Sequence, residues 1–248
     1  MPPPALPQPT AAGAALLETF GRVIVINLPE RADRRAGLER ELRRIGLTLD
    51  HPQVTLFPAI RPDSAGGFPG IGVRGAYLSH LGVLEALLEK GWERALILED
   101  DVAFCSDFET RFPPAAARLR AGPWDMAYGH ATFTDLPAPQ GLAELPADRP
   151  LDLLHFVGMR AQTARLAVPF LRAMLARPTG SPEGGPMHVD GAYNWFRAAH
   201  PGLRVLAACP PLAVQRPSRS DIASARWYDR LPGLRALATR LRQTRAGG

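Results

Sequence analysis

The chain has 248 residues, 46% of them hydrophobic, and a formal net charge of +5. That is enough apolar material for a sizeable core, yet no run approaches the ~18 apolar residues of a membrane span, and the opening MPPPALPQPT lacks the basic start of a secretory signal, so a cytoplasmic protein is expected. The positive charge is almost wholly arginine, Lys90 being the only lysine, and without zinc-finger spacing, an RNA-binding signature or basic runs interleaved with aromatics it gives no reason to expect a nucleic-acid partner.

In chain order, residues 1–20 read as a flexible Pro- and Ala-rich tail. VIVINL, residues 23–28, is a β-branched run of strand character. After Pro29 the segment ERADRRAGLERELRRIGL repeats Leu38, Leu42 and Ile45 at helical spacing, with Gly46 placed to cap it. VTLFPAI, 54–60, predicts a second strand and 61–75 a Gly- and Pro-rich loop. AYLSHLGVLEALLEKGW predicts a helix from residue 76, and ALILED the next strand. Strand and helix in alternation predict an α/β fold, a mostly parallel sheet with flanking helices.

Further on, WDMAYGH predicts a strand, 135–150 a Pro-rich loop, VPFLRAMLARP a helix, and MHVDGAYNWFRAAHP a turn leading into another helix. Cys105 and Cys209 lack the spacing of a disulfide framework or a zinc site and read as small buried residues. In the last stretch Leu231, Leu234, Ala238 and Leu241 form an apolar stripe bordered by Arg230, Arg235, Arg240, Arg242 and Arg245. This predicts a basic amphipathic helix over 226–248, for packing on the protein's own body or for weak contact with anionic lipid.

Three acids at the end of an apolar run, Glu99, Asp100 and Asp101, would repel one another unless a cation sits among them. A divalent metal is the expectation. Strand alternation would put Glu99 and Asp101 on one face and Asp100 on the other, making Asp101 the direct ligand, with Glu99 acting directly or through water and Asp100 set apart from the metal. A solvated acidic turn paired with arginines is the structural alternative. Asn27, Arg31 and Arg34 follow the first strand, where open α/β sheets bind ligands, and arginine suits a diphosphate. Arg35, Arg40, Arg43 and Arg44 read as a solvated helix face.

VINLPERADRR, RGAYLSH, LILEDDV and SRSDI occur in that order, and together the line-up resembles glycosyltransferase family 25 across residues 22–222. The resemblance implies a GT-A-like domain over 21–225, a nucleotide-sugar donor such as UDP-galactose, manganese, and inverting transfer of a hexosyl unit. The acceptor would be a glycan or lipid-linked glycan of the cell envelope, such as lipopolysaccharide, reached from the inner face of the membrane. It places Asn27, Arg31, Arg34, Ser79, His80, Asp100 and Ser220 on the donor, Asp101 and Glu99 on the metal, and Asp190 as base. Ser79 and His80 would sit early in the second helix, the serine able to cap backbone amides. Asp190 is preferred to His188, which would share its face in an extended segment; a helix-capping role for Asp190 stays open. Ser218, Arg219 and Asp221 would join Ser220 in closing over the diphosphate, or form a polar surface turn. Ala76 replaces a usual family cysteine, and GMRAQTARLAV departs from the family pattern on the acceptor side. A non-catalytic nucleotide-sugar-binding scaffold is therefore the alternative; a phosphatase would need a first-strand Asp nucleophile, which is absent.

Overall fold

The structure, a computed structural model, describes residues 6–131 and 141–216. The chain divides into two compact units, Met1–Gln215 and Arg216–Gly248, and every element below belongs to the first. Helix α1 spans Ala11–Phe20, followed by β1 Val23–Asn27, α2 Ala32–Arg44, β2 Val54–Pro58, α3 Ile71–Glu89, β3 Arg94–Glu99, β4 Val102–Phe104 and α4 Phe108–Ala121. Then come β5 Met126–Tyr128, β6 Gly141–Leu145, β7 Phe156–Arg160, α5 Ala161–Leu175, α6 Val189–Ala198, β8 Val205–Cys209 and β9 Ala213–Gln215.

Seven strands form one sheet in the order β2-β1-β3-β7-β5-β8-β6, and β4 pairs with β9 beside it. β1 lies parallel to both β2 and β3, whereas β7 enters antiparallel between β3 and β5, and β6 closes the far edge antiparallel to β8. Five of the seven strands therefore point one way, and their carboxyl ends share one edge. This is an α/β fold with a mixed sheet and helices on both faces.

The faces follow from alternation along the strands. Ile24, Ile26, Ala95 and Ile97 pack with α3, α5 and α6, while Val23, Val25, Leu96 and Leu98 pack with α1, α2 and α4. All five residues of β1 are buried, as a continuous apolar run buried on both faces requires.

Four expectations are corrected. Residues 11–20 are a buried helix instead of tail: Thr10 accepts from the Gly13 amide, and Leu16 and Phe20 are fully buried. The solvent-facing stripe of α1 is Ala11, Ala14 and Glu18, two alanines and a single charge, so little in AAGAALLETF marks an amphipathic period. α3 begins at Ile71, five residues earlier than expected, since Gly72 and Gly75 sit inside the helix. Gly75 is there for room: a Cβ would lie 2.6 Å from the Ile60 carbonyl oxygen. α5 begins at Ala161, and Gly141–Leu145 is an edge strand inside the stretch expected to be loop.

Candidate functional site

The site lies at the carboxyl edge of the sheet, where β1 and β3 end side by side. Asn27, the last residue of β1, is buried, and its Nδ2 donates to Asp100 Oδ2 at 2.8 Å and to the Arg31 carbonyl at 3.3 Å. The amide thus ties the first strand-to-helix turn to the acidic turn after β3. From the first turn of α2, Arg34 Nη1 reaches Asp100 Oδ1 at 2.9 Å and Asp101 Oδ2 at 3.6 Å. Arg31 is held by Asp33 through two contacts, Nε–Oδ1 at 2.9 Å and Nη2–Oδ2 at 3.0 Å. That hydrogen bonding draws the Asp33 carboxyl down to about 2.

The three acids have three different surroundings. β3 ends at Glu99, so strand alternation does not continue through Asp100 and Asp101, and both aspartates face Arg34. The expected separation of Asp100 from Asp101 is corrected on that ground. Glu99 turns toward α3 and accepts from His80 Nε2 at 3.1 Å. Burial acts to raise the Glu99 carboxyl, but the His80 bond and nearby positive groups bring it below its ordinary value. Asp101 is pushed up to about 7, first by burial and next by the Glu99 charge, with Arg34 opposing. Its Oδ2 accepts from Gln215 Nε2 at 3.1 Å, and its Oδ1 is buried without a hydrogen-bond partner.

An acid short of positive charge with an orphaned oxygen fits a hard divalent cation, whose ligands are oxygens. Among the described residues no three His, Cys, Asp or Glu side chains converge as a metal cage. The residues therefore fit an ion of the kind held by one or two carboxylates and completed by water and substrate phosphate.

Ser79 and His80 are placed differently from expectation. Both sit in the middle of α3 and are 1% exposed. Ser79 Oγ donates to the Gly75 carbonyl at 2.7 Å and accepts from the Ile60 amide at 2.8 Å, so it fastens the loop after β2 to α3 and does not cap the helix. Asp190 lies in the first turn of α6, where its Oδ1 accepts from the Gly191 amide at 2.8 Å. Its charge is felt by buried Tyr128 at the end of β5, which places it toward the same edge. Helix geometry removes the shared extended face of His188 and Asp190, and His188 is an exposed N-cap without a side-chain capping bond. Arg44, expected on a solvated face, donates to the carbonyls of Phe104 and Cys105 and so anchors β4. Ser218, Arg219, Ser220, Asp221 and the expected C-terminal helix lie outside the described residues.

Sequence reasoning missed Gln215, Tyr193, Tyr128 and His155, whose buried Nε2 lies 3.2 Å from the Ala213 carbonyl of β9. Gln215 reaches Asp101 only because β9 pairs with β4, Val102 opposite Gln215, a register no local pattern encodes. The other three stand in apolar runs and look like core. Among the described residues no helix is long and apolar enough to cross a membrane.

A sheet with helices on both faces and an acidic turn at its carboxyl edge defines an α/β protein of the kind that binds ligands at such edges. No protein-family model matches the chain. Its homologues are glycosyltransferase 25 family members: it is 28% identical over 127 residues to the probable inactive member 3 of Bos taurus and 26% identical over 132 residues to a member from Anopheles gambiae. The inactive member 3 of Homo sapiens is 28% identical over 127 residues. Each match covers 44% of this chain, which spans only 21–22% of those relatives. Similar solved structures include a glycosyltransferase involved in glycosylation of the major capsid of PBCV-1, at a TM-score of 0.43 and 10% identity over 75% of this chain and 79% of that one. A197 from STIV gives 0.37 and 13% over 75% and 81%.

Proposed function

We propose that the chain transfers a hexosyl unit, galactose or a related sugar, from a nucleoside-diphosphate donor to a hydroxyl of a glycan acceptor in the cell envelope, with inversion at the anomeric carbon. The observation that carries this reading is the acidic turn itself: Asn27 and Arg34 organise Asp100, while Asp101 keeps an unpartnered oxygen at the mouth of the sheet. Asp101 would hold Mn²⁺ or Mg²⁺, with Glu99 directly or through water, and when bound the ion neutralises charge developing on the leaving diphosphate.

The chain's own residues do the rest. Asp100, fixed on two sides, accepts from donor hydroxyls. Arg31, aligned by Asp33, presents a planar fork to phosphate oxygens. Asp190 accepts the proton of the acceptor hydroxyl as that oxygen attacks opposite the departing diphosphate, so no enzyme nucleophile is needed.

A second reading, a donor-binding scaffold without turnover, draws on the inactive relatives. One assay separates the two: purified protein with a panel of UDP-sugars, with and without Mn²⁺, scored for free UDP and for transfer to glycan acceptors. Release of UDP that requires Mn²⁺ supports the enzyme; donor binding without release supports the scaffold. The arginine-bordered stripe Leu231–Leu241 adds a proposed weak contact with anionic lipid at the inner membrane face. Equal sedimentation of residues 1–248 and 1–225 with anionic vesicles would remove it.

A further inference from the structure

Behind the acidic turn runs a line of buried polar groups that the proposed chemistry does not use. His80, in the middle of α3, places Nε2 at 3.1 Å from Glu99 Oε1 and Nδ1 at 3.5 Å from the hydroxyl of Tyr193 on α6. The rings meet edge to face, 5.8 Å apart at 87°. Tyr193 is fully buried and burial raises its phenol well above 10, so it remains a hydroxyl that can donate. A carboxylate only accepts, so the Nε2 proton goes to Glu99, and Nδ1 shares the next hydrogen bond with the Tyr193 hydroxyl. Beyond Tyr193 lies Tyr128, buried, its hydroxyl without a partner among the described residues, and within the field of Asp190.

A buried phenol needs a reason. Phenylalanine would fill the same volume on α6 without desolvating a hydroxyl. Histidine at a fully packed helix position is likewise a poor choice for packing alone. Glu99, in contrast, has 24% of its side chain exposed, so it shows one edge to the mouth while its other oxygen is held from behind.

We infer that His80 and Tyr193 are positioning residues that hold the Glu99 carboxylate at the mouth of the sheet, and through it tie the helix carrying Asp190 to the donor side of the site. The inference rests on the glycosyltransferase reading for its consequence and on the hydrogen-bond line for its existence. Tyr193 follows Asp190 by three residues on α6, so a shift of that helix moves both. Loss of the line leaves the fold but lets Glu99 wander, and small misplacements of a positioned group are expensive in rate.

Two measurements test it. In ¹⁵N-histidine-labelled protein without ligand, His80 Nε2 should carry a proton held toward Glu99, and Tyr193→Phe should shift the Nδ1 resonance. An Nε2 without a proton, or no change in Tyr193→Phe, overturns the line. The second is a double-mutant cycle on kcat/KM with UDP-galactose and Mn²⁺, in which Tyr193→Phe and Glu99→Gln each lower the value about tenfold or more and the pair is no worse than Glu99→Gln alone. Multiplying losses overturn the positioning role. His80→Gln, which keeps a donor toward Glu99, should recover part of what His80→Ala loses; equal losses count against it. The NMR result needs no substrate, so absent turnover with a protonated Nε2 that responds to Tyr193→Phe faults the glycosyltransferase reading and leaves the line standing.

Discussion

Asp101 and Asp190 carry opposite liabilities, and substitutions should expose the difference. Asp101 is a buried acid made less favourable by burial and by Glu99, so Asp101→Asn removes a destabilising charge while deleting the proposed cation ligand. Without metal the variant should melt a few degrees higher than wild type at pH 8, by about 1–2 kcal/mol, and metal-dependent transfer should vanish. Calorimetry at pH 8 and an Mn²⁺ titration of turnover check both halves, and a lower melting temperature would mean that Asp101 is already compensated. Asp190→Asn should leave stability alone, because the asparagine oxygen still accepts from Gly191, and should reduce transfer by about 10²–10⁴-fold with unchanged donor binding. Wild-type transfer by Asp190→Asn, or a product retaining the donor's anomeric configuration, would refute the assignment. That Glu99, Asp100 and Asp101 mark a candidate site is legible because adjacent acids after an apolar strand have few innocent explanations. Their individual roles are not, since each depends on a partner from a distant element: His80, Asn27 and Gln215.

At the scale of elements, the segments that alternate or repeat cleanly, β1, α2, β2 and β3, stand in the structure near their expected places. The misread ones have separate causes: α1 has alanine on its solvent-facing stripe, α3 contains glycine where backbones approach, and α5 carries Pro169 inside the helix. α1 is the clearest case. Thr10 Oγ1 donates to Glu109 Oε2 at 2.8 Å, and Glu109 Oε1 accepts from the Ala12 amide at 3.2 Å, so α4 helps cap α1. Phe20, at the end of α1, packs against Phe112, Trp124 and Phe156 with ring centroids 5.9–6.5 Å apart. Phe20→Ala should therefore destabilise by about 3–5 kcal/mol, the usual loss for a buried aromatic, and lower the melting temperature by roughly 10 °C. A flexible tail would tolerate the change, so thermal melts of Phe20→Ala against wild type decide whether α1 is an integral part of the core.

For the whole molecule, the sheet's order explains why its site was only half legible. The proposed donor side is built by β1, β3 and the turns that follow them, contiguous in sequence motifs, whereas β7, β5 and β8 reach the same edge through crossovers without a local signature. With one carboxylate offering a free oxygen and no three-residue cage among the described residues, metal and donor should bind each other as much as the protein. Mn²⁺ alone should scarcely move the melting temperature. UDP at about 100 times its dissociation constant stabilises by about 2.7 kcal/mol, worth about 5–10 °C for a chain of this size, and that full shift should require Mn²⁺. With EDTA present, Arg31 and Arg34 are left to meet the diphosphate and the shift should shrink to a small remainder; in Asp101→Asn it should be small with or without metal. An equal UDP shift in EDTA and in Mn²⁺ would show that arginine alone neutralises the diphosphate, and the assignment of Asp101 to a cation would be wrong.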